Sequence, residues 1–418
     1  MSIELCKNSV CIVVGASHAG ANFAFALRRE GWQGAIVLID NDPELPYHRP
    51  PLSKAYLTSD DGIEKHLLRP AASYEKENIQ LELGNRVIAI DRSDKKVFLE
   101  NGETFGYDRL VLATGARPIF PPIPGLNSAR KVFTMRTAED ANAIRLAVKT
   151  GERLKIVVIG GGYIGLETAA SLKKLGAEVT VLEREYRVLA RVTAPEMSAF
   201  FQELHANNGV AVHVGKNVIS VENSDERTNI VCADGSNYEA DIIVVGVGIR
   251  VNTELAKKSG LTVENGIRVD SSVCTNDPDI YAIGDCTFHY NPLYDRFIRL
   301  ESVQNAVDQA KVAAAAICGK SPVYDAVPWF WSDQYEIKLQ IVGISEGYDQ
   351  VVLRKELDKA NSFSVWYFKK DALIAVDAVN NAKAYVYGTK FIKAGQKLNL
   401  SKLADPLTEL KPLNLLAR

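Results

Sequence analysis

The hydrophobic and polar positions of the chain repeat one pattern twice. A run of β-branched apolar residues leads into a glycine-rich turn, which opens a segment with apolar residues at helical spacing. A second apolar run then ends in an acid, at AIVLID with Asp40 and at EVTVLE with Glu183. In both places the pattern predicts a strand, a turn, a helix and a second strand.

The two turns have the features of phosphate-binding loops. They are VCIVVGASHAG at residues 10–20 and KIVVIGGGYIG at residues 155–165. Glycines let the backbone approach a pyrophosphate, and the following helix N-terminus offers it unpaired N–H groups. Two complete units predict two dinucleotide sites, so we expect electrons to pass from one to the other. The candidate contacts are Gly15, Ser17 (at the usual middle glycine) and Gly20, then Gly160, Gly162, Ile164 and Gly165.

The acids that end the second strands are candidates for ribose contacts. Glu183 would accept hydrogen bonds from the ribose hydroxyls of NAD and repel the 2′-phosphate of NADP, so we expect NADH to be preferred. Arg184 follows it as a further candidate contact, of a kind that can also pair with phosphate. In the first unit Asp40 and Asn41 remain alternatives, because either side chain presents an oxygen that accepts from a hydroxyl.

The remaining pattern predicts an interrupted first domain and a separate tail domain. An apolar strand at ADIIVVGVG ends in glycines, of which Gly248 is a candidate cofactor contact. Residues 299–319 predict a long alanine-rich helix, and apolar runs after Pro328 predict a small antiparallel sheet. We expect an α/β protein with two Rossmann-like dinucleotide-binding domains and a C-terminal α+β domain. The predicted boundaries are 1–116 with 245–327, then 117–244, then 328–418.

Composition narrows the function classes. Among 418 residues 24% are charged and the net charge is −2, which gives no electrostatic reason to expect nucleic-acid binding. No apolar run approaches the roughly 20 residues that span a bilayer, and we find no signal peptide, so we expect a cytoplasmic protein without a membrane partner. The six cysteines are scattered. We interpret Cys6 and Cys11 as unconnected thiols and expect no metal site, His18 included.

Several longer motifs carry a family resemblance. They are YHRPPLSKAYL at residues 47–57, GGGYIGLE, RVTAPEMSAF, YAIGDC, LYDRFIRLESV and PWFWSDQYEI. Together they resemble the NADH-dependent ferredoxin reductases, FAD flavoproteins of the glutathione-reductase fold that serve bacterial oxygenases. The resemblance extends over essentially the whole chain. It implies that the first site holds FAD and the second NADH.

The resemblance also implies roles for single residues. Lys54 would lie beside the flavin and pair with Glu167, so that a cation stabilises the negative charge that develops on reduction. Asp285 would bind the ribityl chain of FAD, and Val303 would provide a backbone contact near the flavin ring. Further FAD contacts are expected at Ala19, Arg49, Val87 and Arg136, of which Val87 is equally interpreted as a core residue and the arginines as surface residues.

The tail segment carries the expected partner site. Trp331 of the cluster Trp329–Trp331 would lie at the flavin edge, although core packing is expected for at least one of these aromatic residues. A basic surface there would attract an acidic 2Fe–2S ferredoxin. The basic residues are Lys383, Lys390, Lys393, Lys397, Lys402, Lys411 and Arg418.

Three alternatives to a ferredoxin reductase share the predicted fold. A rubredoxin or a small organic acceptor would replace the ferredoxin in the first. A disulfide or peroxide reductase would need a cysteine beside the flavin, where the chain has Leu52, Ser53 and Lys54. A signalling flavoprotein similar to apoptosis-inducing factor would call for a targeting segment or a basic nucleic-acid surface, and the sequence shows neither.

Overall fold

The computed structural model describes residues 8–151, 153–223, 227–357 and 359–417. Cys6 and Arg418 lie outside these residues. Contacts divide the chain into two compact units. The first unit contains the described part of Met1–His48 with Asp61–Arg117 and Arg250–Pro328. The second contains Arg49–Asp60 and the described parts of Pro118–Ile249 and Trp329–Arg418. The three-domain boundaries stay a prediction.

The described chain contains both helices and strands, and most of the strands follow one another in runs without a helix between them. The strands are β1 (Val10–Val14), β2 (Ala35–Asp40), β3 (Ile79–Leu83), β4 (Val87–Asp91), β5 (Lys96–Leu99), β6 (Thr104–Gly106), β7 (Arg109–Leu112), β8 (Ala116–Pro118), β9 (Val132–Phe133), β10 (Lys155–Ile159), β11 (Glu178–Leu182), β12 (Ala211–His213), β13 (Val218–Asn223), β14 (Thr228–Cys232), β15 (Asn237–Ala240), β16 (Ile242–Val245), β17 (Ile249–Val251), β18 (Ile267–Val269), β19 (Ile280–Ala282), β20 (Thr287–Asn291), β21 (Arg296–Ile298), β22 (Trp329–Gln334), β23 (Ile337–Gly343), β24 (Gln350–Lys355), β25 (Phe363–Lys369) and β26 (Ala372–Val379). The helices are α1 (His18–Arg29), α2 (Ala55–Thr58), α3 (Ala71–Lys76), α4 (Ala138–Lys149), α5 (Tyr163–Lys174), α6 (Pro195–Asn207), α7 (Glu254–Lys258), α8 (Val303–Ile317), α9 (Ala382–Ala394), α10 (Leu400–Ala404) and α11 (Pro412–Leu415).

The first unit is built on a parallel sheet with the strand order β19-β7-β1-β2-β3. Its central strand β1 is almost wholly buried, as expected for a strand covered on both faces. Helices α1 and α8 belong to its hydrophobic core. The predicted helix at residues 299–319 is confirmed, although it begins only at Val303 because the Ser302 side chain caps it, accepting from the Asn305 N–H at 3.1 Å.

The second unit repeats this arrangement and adds the tail sheet. Strands β12-β11-β10-β16-β9 form a second parallel sheet, and β22-β23-β26-β25-β24 form an antiparallel one. Six consecutive residues of β25, beginning at Phe363, are buried, so this strand is covered on both faces. The predicted α/β fold with two Rossmann-like sheets and a C-terminal α+β segment is confirmed.

A buried carboxyl group lies inside the tail sheet. Asp377 on β26 has no exposed surface, and its Oδ2 accepts a hydrogen bond from the Tyr367 hydroxyl on β25. That hydroxyl in turn accepts from the backbone N–H of Ala194, at 3.0 Å, just before α6. Burial raises the pKa of Asp377 from 3.8 to about 7, and the Tyr367 hydrogen bond offsets part of this rise.

We expect Asp377 to make the protein less stable as the pH rises toward neutrality. Its pKa is higher in the folded state than in the unfolded state, so its contribution is complete below 3.8 and is lost as the pH rises through about 7. The free energy of unfolding should fall by up to about 1.4 kcal/mol per pH unit in that window. Asp377→Asn, which keeps the shape and does not titrate, should remove this slope in urea unfolding.

Asp371→Asn is the matched control, because Asp371 is exposed in the turn that joins β25 to β26. This variant should keep the pH dependence of the unaltered protein. Parallel curves of unfolding free energy for Asp377→Asn and the unaltered protein between roughly pH 5 and 8 would contradict the prediction.

Candidate active site

The first glycine-rich turn requires glycine at its first and last positions. Gly15 has φ +108°, and a Cβ on it would lie 2.2 Å from the Ala113 carbonyl oxygen. A Cβ on Gly20 would lie 1.8 Å from the Gly15 carbonyl oxygen, so helix α1 could not pack so closely against β1. The turn therefore has the close strand–helix packing that a dinucleotide needs.

The second turn repeats this geometry. Gly160 has φ +111°, and a Cβ on Gly165 would lie 2.1 Å from the Gly160 carbonyl oxygen. Nothing lies within 4 Å of a Cβ built on Gly162, which is the middle position. Ile164, in the first turn of α5, is 43% exposed, so a ligand at this helix N-terminus could reach it.

Serine at the middle position of the first turn causes no backbone strain. Ser17 precedes α1 with φ −87°, and Gly162 precedes α5 with φ −80°. Both values belong to the extended region that any L-residue adopts. The open space beside Gly162 shows that this position has room for a small side chain. Ser17 is thus compatible with the phosphate site predicted for this turn.

The two predicted ribose acids make the same backbone contacts. Asp40 Oδ2 accepts from the Ala16 N–H and Oδ1 from the Asp42 N–H, at 2.9 Å for the second. Glu183 Oε2 accepts from the Gly161 N–H at 2.6 Å and Oε1 from the Glu185 N–H at 2.8 Å. Each carboxylate oxygen has two lone pairs, so each acid can still accept from ribose hydroxyls.

Asn41 and Arg184, the residues that follow the two acids, lie in different surroundings. Asn41 is exposed at the end of β2, so the choice between Asp40 and Asn41 as the ribose contact stays open. The Arg184 side chain is 72% exposed and pairs with Glu185, from Nη2 to Oε1 at 2.9 Å. An ion pair this exposed contributes little free energy, so it does not decide whether Arg184 contacts a nucleotide, which stays a prediction.

Other predicted FAD contacts gather at the carboxyl edge of the first sheet. Asp285 follows β19, and the preceding Gly284 donates its N–H to Gln309 Oε1 of α8 at 2.7 Å. A Cβ on Gly284, which has φ +83°, would lie 3.0 Å from the Ala19 Cβ of α1. Val303 begins α8. In parallel α/β sheets this edge is where ligands bind, so the grouping supports a binding site.

Three of the predicted FAD contacts have structural roles of their own. Val87 begins β4 and packs against the core of the first unit. Arg49 Nη1 donates to the Arg136 carbonyl at 2.6 Å, and both arginines are half-buried. They are thus not the fully exposed surface residues of the alternative interpretation. Whether these residues contact FAD stays a prediction.

Lys54 and Glu167 form the predicted ion pair, within the second unit. Lys54 Nζ donates to Glu167 Oε2 at 2.6 Å, and the two side chains are 18% and 1% exposed. Lys54 also donates to the Pro50 carbonyl at 3.2 Å. Two of the three N–H groups of its ammonium are directed at these described residues, which leaves one to donate to a ligand.

Two serines that the sequence analysis did not single out also donate hydrogen bonds to Glu167. Ser53 Oγ donates to Glu167 Oε2 at 2.7 Å, and Ser332 Oγ donates to Oε1 at 2.6 Å. The Ser53 carbonyl accepts from Ser171 of α5 at 2.7 Å, which fixes the segment that carries Lys54. The signal was in the sequence, because Ser53 and Ser332 stand within the motifs PPLSK and WFWSDQYEI.

The aromatic cluster divides between the two faces of β22. Trp329 and Trp331 stack with ring centroids 5.6 Å apart, and Trp329 also contacts Tyr385 of α9. Phe330 packs in the other direction, 4.9 Å from the ring of Tyr163 on α5. All three cluster residues are half-buried, so the expectation that at least one would be a core residue is met only in part, by the packing of Phe330.

Gly248 lies in the connection between β16 and β17, and the described cysteines do not support a redox role. Gly248 has φ +121°, close to Ile119 and Arg191. The described cysteines are free, and burial raises the pKa of the Cys11 and Cys286 thiols, which makes them poor nucleophiles.

Among the described residues no group of three His, Cys, Asp or Glu could hold a metal ion. Within the same residues, no helix has the length and apolarity needed to span a membrane.

Comparison with family models decides the assignment. Residues 9–310 match the pyridine nucleotide-disulphide oxidoreductase model, and residues 329–414 match the reductase C-terminal model. This chain belongs to the pyridine nucleotide-disulphide oxidoreductases. The family implies FAD and NAD(H) as cofactors, and the two glycine-rich turns with their acids fit two such nucleotides.

Three relatives and one solved structure show which members of the family this chain is similar to. Putidaredoxin reductase of Pseudomonas putida is 43% identical over 411 residues, 97% of each chain. A solved putidaredoxin reductase–putidaredoxin complex matches with a TM-score of 0.92 over 96% of this chain and 97% of that chain. A 5,5′-dehydrodivanillate O-demethylase ferredoxin reductase subunit of Sphingobium is 42% identical, covering 96% and 98%. A rubredoxin-NAD(+) reductase of Pseudomonas putida is 37% identical, covering 89% and 96%.

We expect Glu183 to set the preference for NADH over NADPH. Glu183→Gln keeps an oxygen for the Gly161 or Glu185 N–H but removes the negative charge that repels a 2′-phosphate. The ratio of kcat/KM with NADH to kcat/KM with NADPH should fall about tenfold for each 1.4 kcal/mol of lost discrimination. Glu178→Gln is the control, because Glu178 is exposed at the opposite end of β11. Equal use of both coenzymes by the unaltered protein would refute the assignment.

Proposed function

We propose that this chain is an NADH-dependent ferredoxin reductase that supplies electrons to an oxygenase. When bound, FAD supplies the redox chemistry, taking two electrons from NADH and releasing them one at a time to a 2Fe–2S ferredoxin. The observation that carries the proposal is the similarity to putidaredoxin reductase, at 43% identity over 97% of each chain. The Lys54–Glu167 pair, with Ser53 at the neighbouring position, supports a flavin site without a protein thiol. The relatives named as ferredoxin reductase and putidaredoxin reductase support the same activity.

The residues of this chain would orient the two nucleotides and place a positive charge beside the flavin. The turn at Gly15–Gly20 and Asp40 would hold the adenosine and pyrophosphate of FAD, and the turn at Gly160–Gly165 with Glu183 would hold those of NADH. Holding each nucleotide in its turn would order it before the transfer, which lowers the entropy cost of the reaction.

Lys54 provides the positive charge. Its remaining N–H would donate to the flavin where negative charge develops on reduction, and Glu167 keeps the ammonium in that direction. Because Glu167 receives hydrogen bonds from Ser53 and Ser332 as well, its carboxylate has little freedom to draw Lys54 away.

The redox path supported by these residues does not pass through protein thiols. The position next to Lys54 holds Ser53, whose hydroxyl is already donated to Glu167. A serine cannot form the disulfide that a disulfide reductase needs, so electrons would leave the flavin directly. A rubredoxin remains the second candidate acceptor, favoured by the similarity to a rubredoxin-NAD(+) reductase.

The acceptor is proposed to bind beside Trp331, on the tail sheet with its lysine-rich helix. Lys383, Lys390 and Lys393 are exposed on α9, the helix whose Tyr385 contacts Trp329. Such a surface would attract an acidic ferredoxin and raise its association rate.

Salt should therefore weaken turnover with ferredoxin more than turnover with a small acceptor. The Debye length falls from about 10 Å at 0.1 M to about 3 Å at 1 M ionic strength. Lys383→Glu with Lys393→Glu should lower kcat/KM for ferredoxin about tenfold at low salt and leave NADH-dependent ferricyanide reduction nearly unchanged. Lys257→Glu with Lys258→Glu, on exposed positions of α7, is the charge-matched control. Equal losses in both double variants would place the docking surface elsewhere.

Trp331→Ala should slow electron transfer to ferredoxin more than flavin reduction by NADH. We expect this because an aromatic anchor in an interface typically contributes at least about 2 kcal/mol to binding. Stopped-flow measurement of the two half-reactions separates the effects. Tyr290→Ala, at a 44% exposed aromatic residue of the first unit, is the control. If both half-reactions slowed equally, Trp331 would act in the nicotinamide site or in folding.

A further inference from the structure

A buried line of polar side chains leads away from Glu167. Ser332 Oγ lies 2.6 Å from Glu167 Oε1, and Gln334 Nε2 lies 3.2 Å from Ser332 Oγ. Gln334 Oε1 lies 2.8 Å from His205 Nε2, and the Tyr335 hydroxyl lies 3.2 Å from His205 Nδ1. All these residues belong to the second unit.

Only one arrangement of protons satisfies this line of hydrogen bonds when Glu167 is ionised and the His205 ring is neutral. An ionised Glu167 can only accept, so the single hydroxyl proton of Ser332 points to it. The Ser332 oxygen must then accept from Gln334, which places the amide nitrogen toward Ser332 and the amide oxygen toward His205. His205 must therefore carry its proton on Nε2, and Nδ1 accepts from Tyr335.

Four of these residues are buried, and Tyr335 at the end of the line is half-buried. Ser332 and His205 have no exposed surface, and Gln334 and Glu167 are 1% and 2% exposed. Burial lowers the pKa of His205, so the imidazole stays neutral near neutral pH and keeps the proton on one nitrogen, although the Gln334 hydrogen bond opposes this shift. A buried polar network of this kind fixes geometry when each of its members is satisfied.

We propose that Ser332, held by Gln334 and His205, is a positioning residue that orients the Glu167 carboxylate and through it the Lys54 ammonium for hydride transfer from NADH. The inference rests on the FAD and NADH part of the proposed function and is independent of the acceptor. Ser332 contacts neither cofactor in this account. It acts by occupying Oε1, so that Oε2 remains directed at Lys54.

The test compares Ser332→Ala with Ser332→Thr in the FAD-loaded protein. Ser332→Ala removes the donor to Oε1 and leaves Gln334 without its acceptor, whereas threonine keeps the hydroxyl. The limiting rate of flavin reduction by NADH should fall about tenfold in Ser332→Ala, with the apparent Kd for NADH changed less than about twofold. The flavin midpoint potential should become more negative, and Ser332→Thr should restore rate and potential.

A matched control separates positioning from general loss of packing. Ser364 is also fully buried in the tail sheet, where its Oγ accepts from Trp366 Nε1 at 2.8 Å. Ser364→Ala should lower thermal stability without changing the rate or the potential. If Ser332→Ala does not fold, Ser332→Cys replaces it, because a thiol keeps the volume but is a weak donor.

Histidine nitrogen NMR provides a readout without turnover. In the unaltered protein the His205 signals should report a neutral ring with the proton on Nε2. In Ser332→Ala the Gln334 amide is free to turn over, so His205 should lose its single tautomer, and in Ser364→Ala it should keep it.

The proposal is overturned if Ser332→Ala lowers stability while its flavin potential, reduction rate and His205 signals stay those of the unaltered protein. It is also overturned if Ser364→Ala changes these quantities equally. Failure of ferredoxin to accept electrons would refute the proposed partner and leave this result intact, since each measurement here ends at the flavin or at His205.

Discussion

The second unit depends on the buried carboxylate of Glu167. An ion taken out of water costs several kcal/mol unless its partners compensate, and breaking a buried pair on one side typically costs about 3–5 kcal/mol. Glu167 meets this requirement with one ammonium and two hydroxyls, from Lys54, Ser53 and Ser332. These donors come from the segment 49–60 and from the tail sheet, so the Glu167 carboxylate of α5 joins both to this helix.

The register between α5 and β22 makes this arrangement possible. Residues two apart on a strand are separated by about 6.6 Å, and residues four apart on a helix by about 6 Å. The two spacings match, so Phe330 contacts Tyr163 and Ser332 contacts Glu167. Because side chains of a strand alternate between faces, Trp331 is turned away from α5 by the same register. One face of β22 serves the ion pair, and the other offers the aromatic surface on which the partner site is proposed.

Most of the fold could be predicted from the sequence, because the strands and helices carry strong local periodicity. The two glycine-rich turns lie where the sequence predicts them, between a strand and a helix, and the close packing at Gly20 and Gly165 requires glycine there. The roles of Ser332 and of the chain through Gln334 and His205 could not be predicted. The hydrogen bonds of Ser332 to Glu167 and of Gln334 to His205 join positions more than 100 residues apart. No pattern along the sequence pairs a serine of one strand with a carboxylate of a distant helix.

The two acids show the same local hydrogen bonding at both glycine-rich turns. Asp40 and Glu183 both close the glycine-rich turn by accepting two backbone N–H groups, although one side chain is a methylene longer. Closing the turn and binding a ribose use different lone pairs of the same carboxylate, so the two tasks do not compete. At the second turn, the negative charge of Glu183 is the feature that we expect to select NADH over NADPH. The neighbouring Arg184 pairs with Glu185, and an ion pair this exposed contributes little free energy.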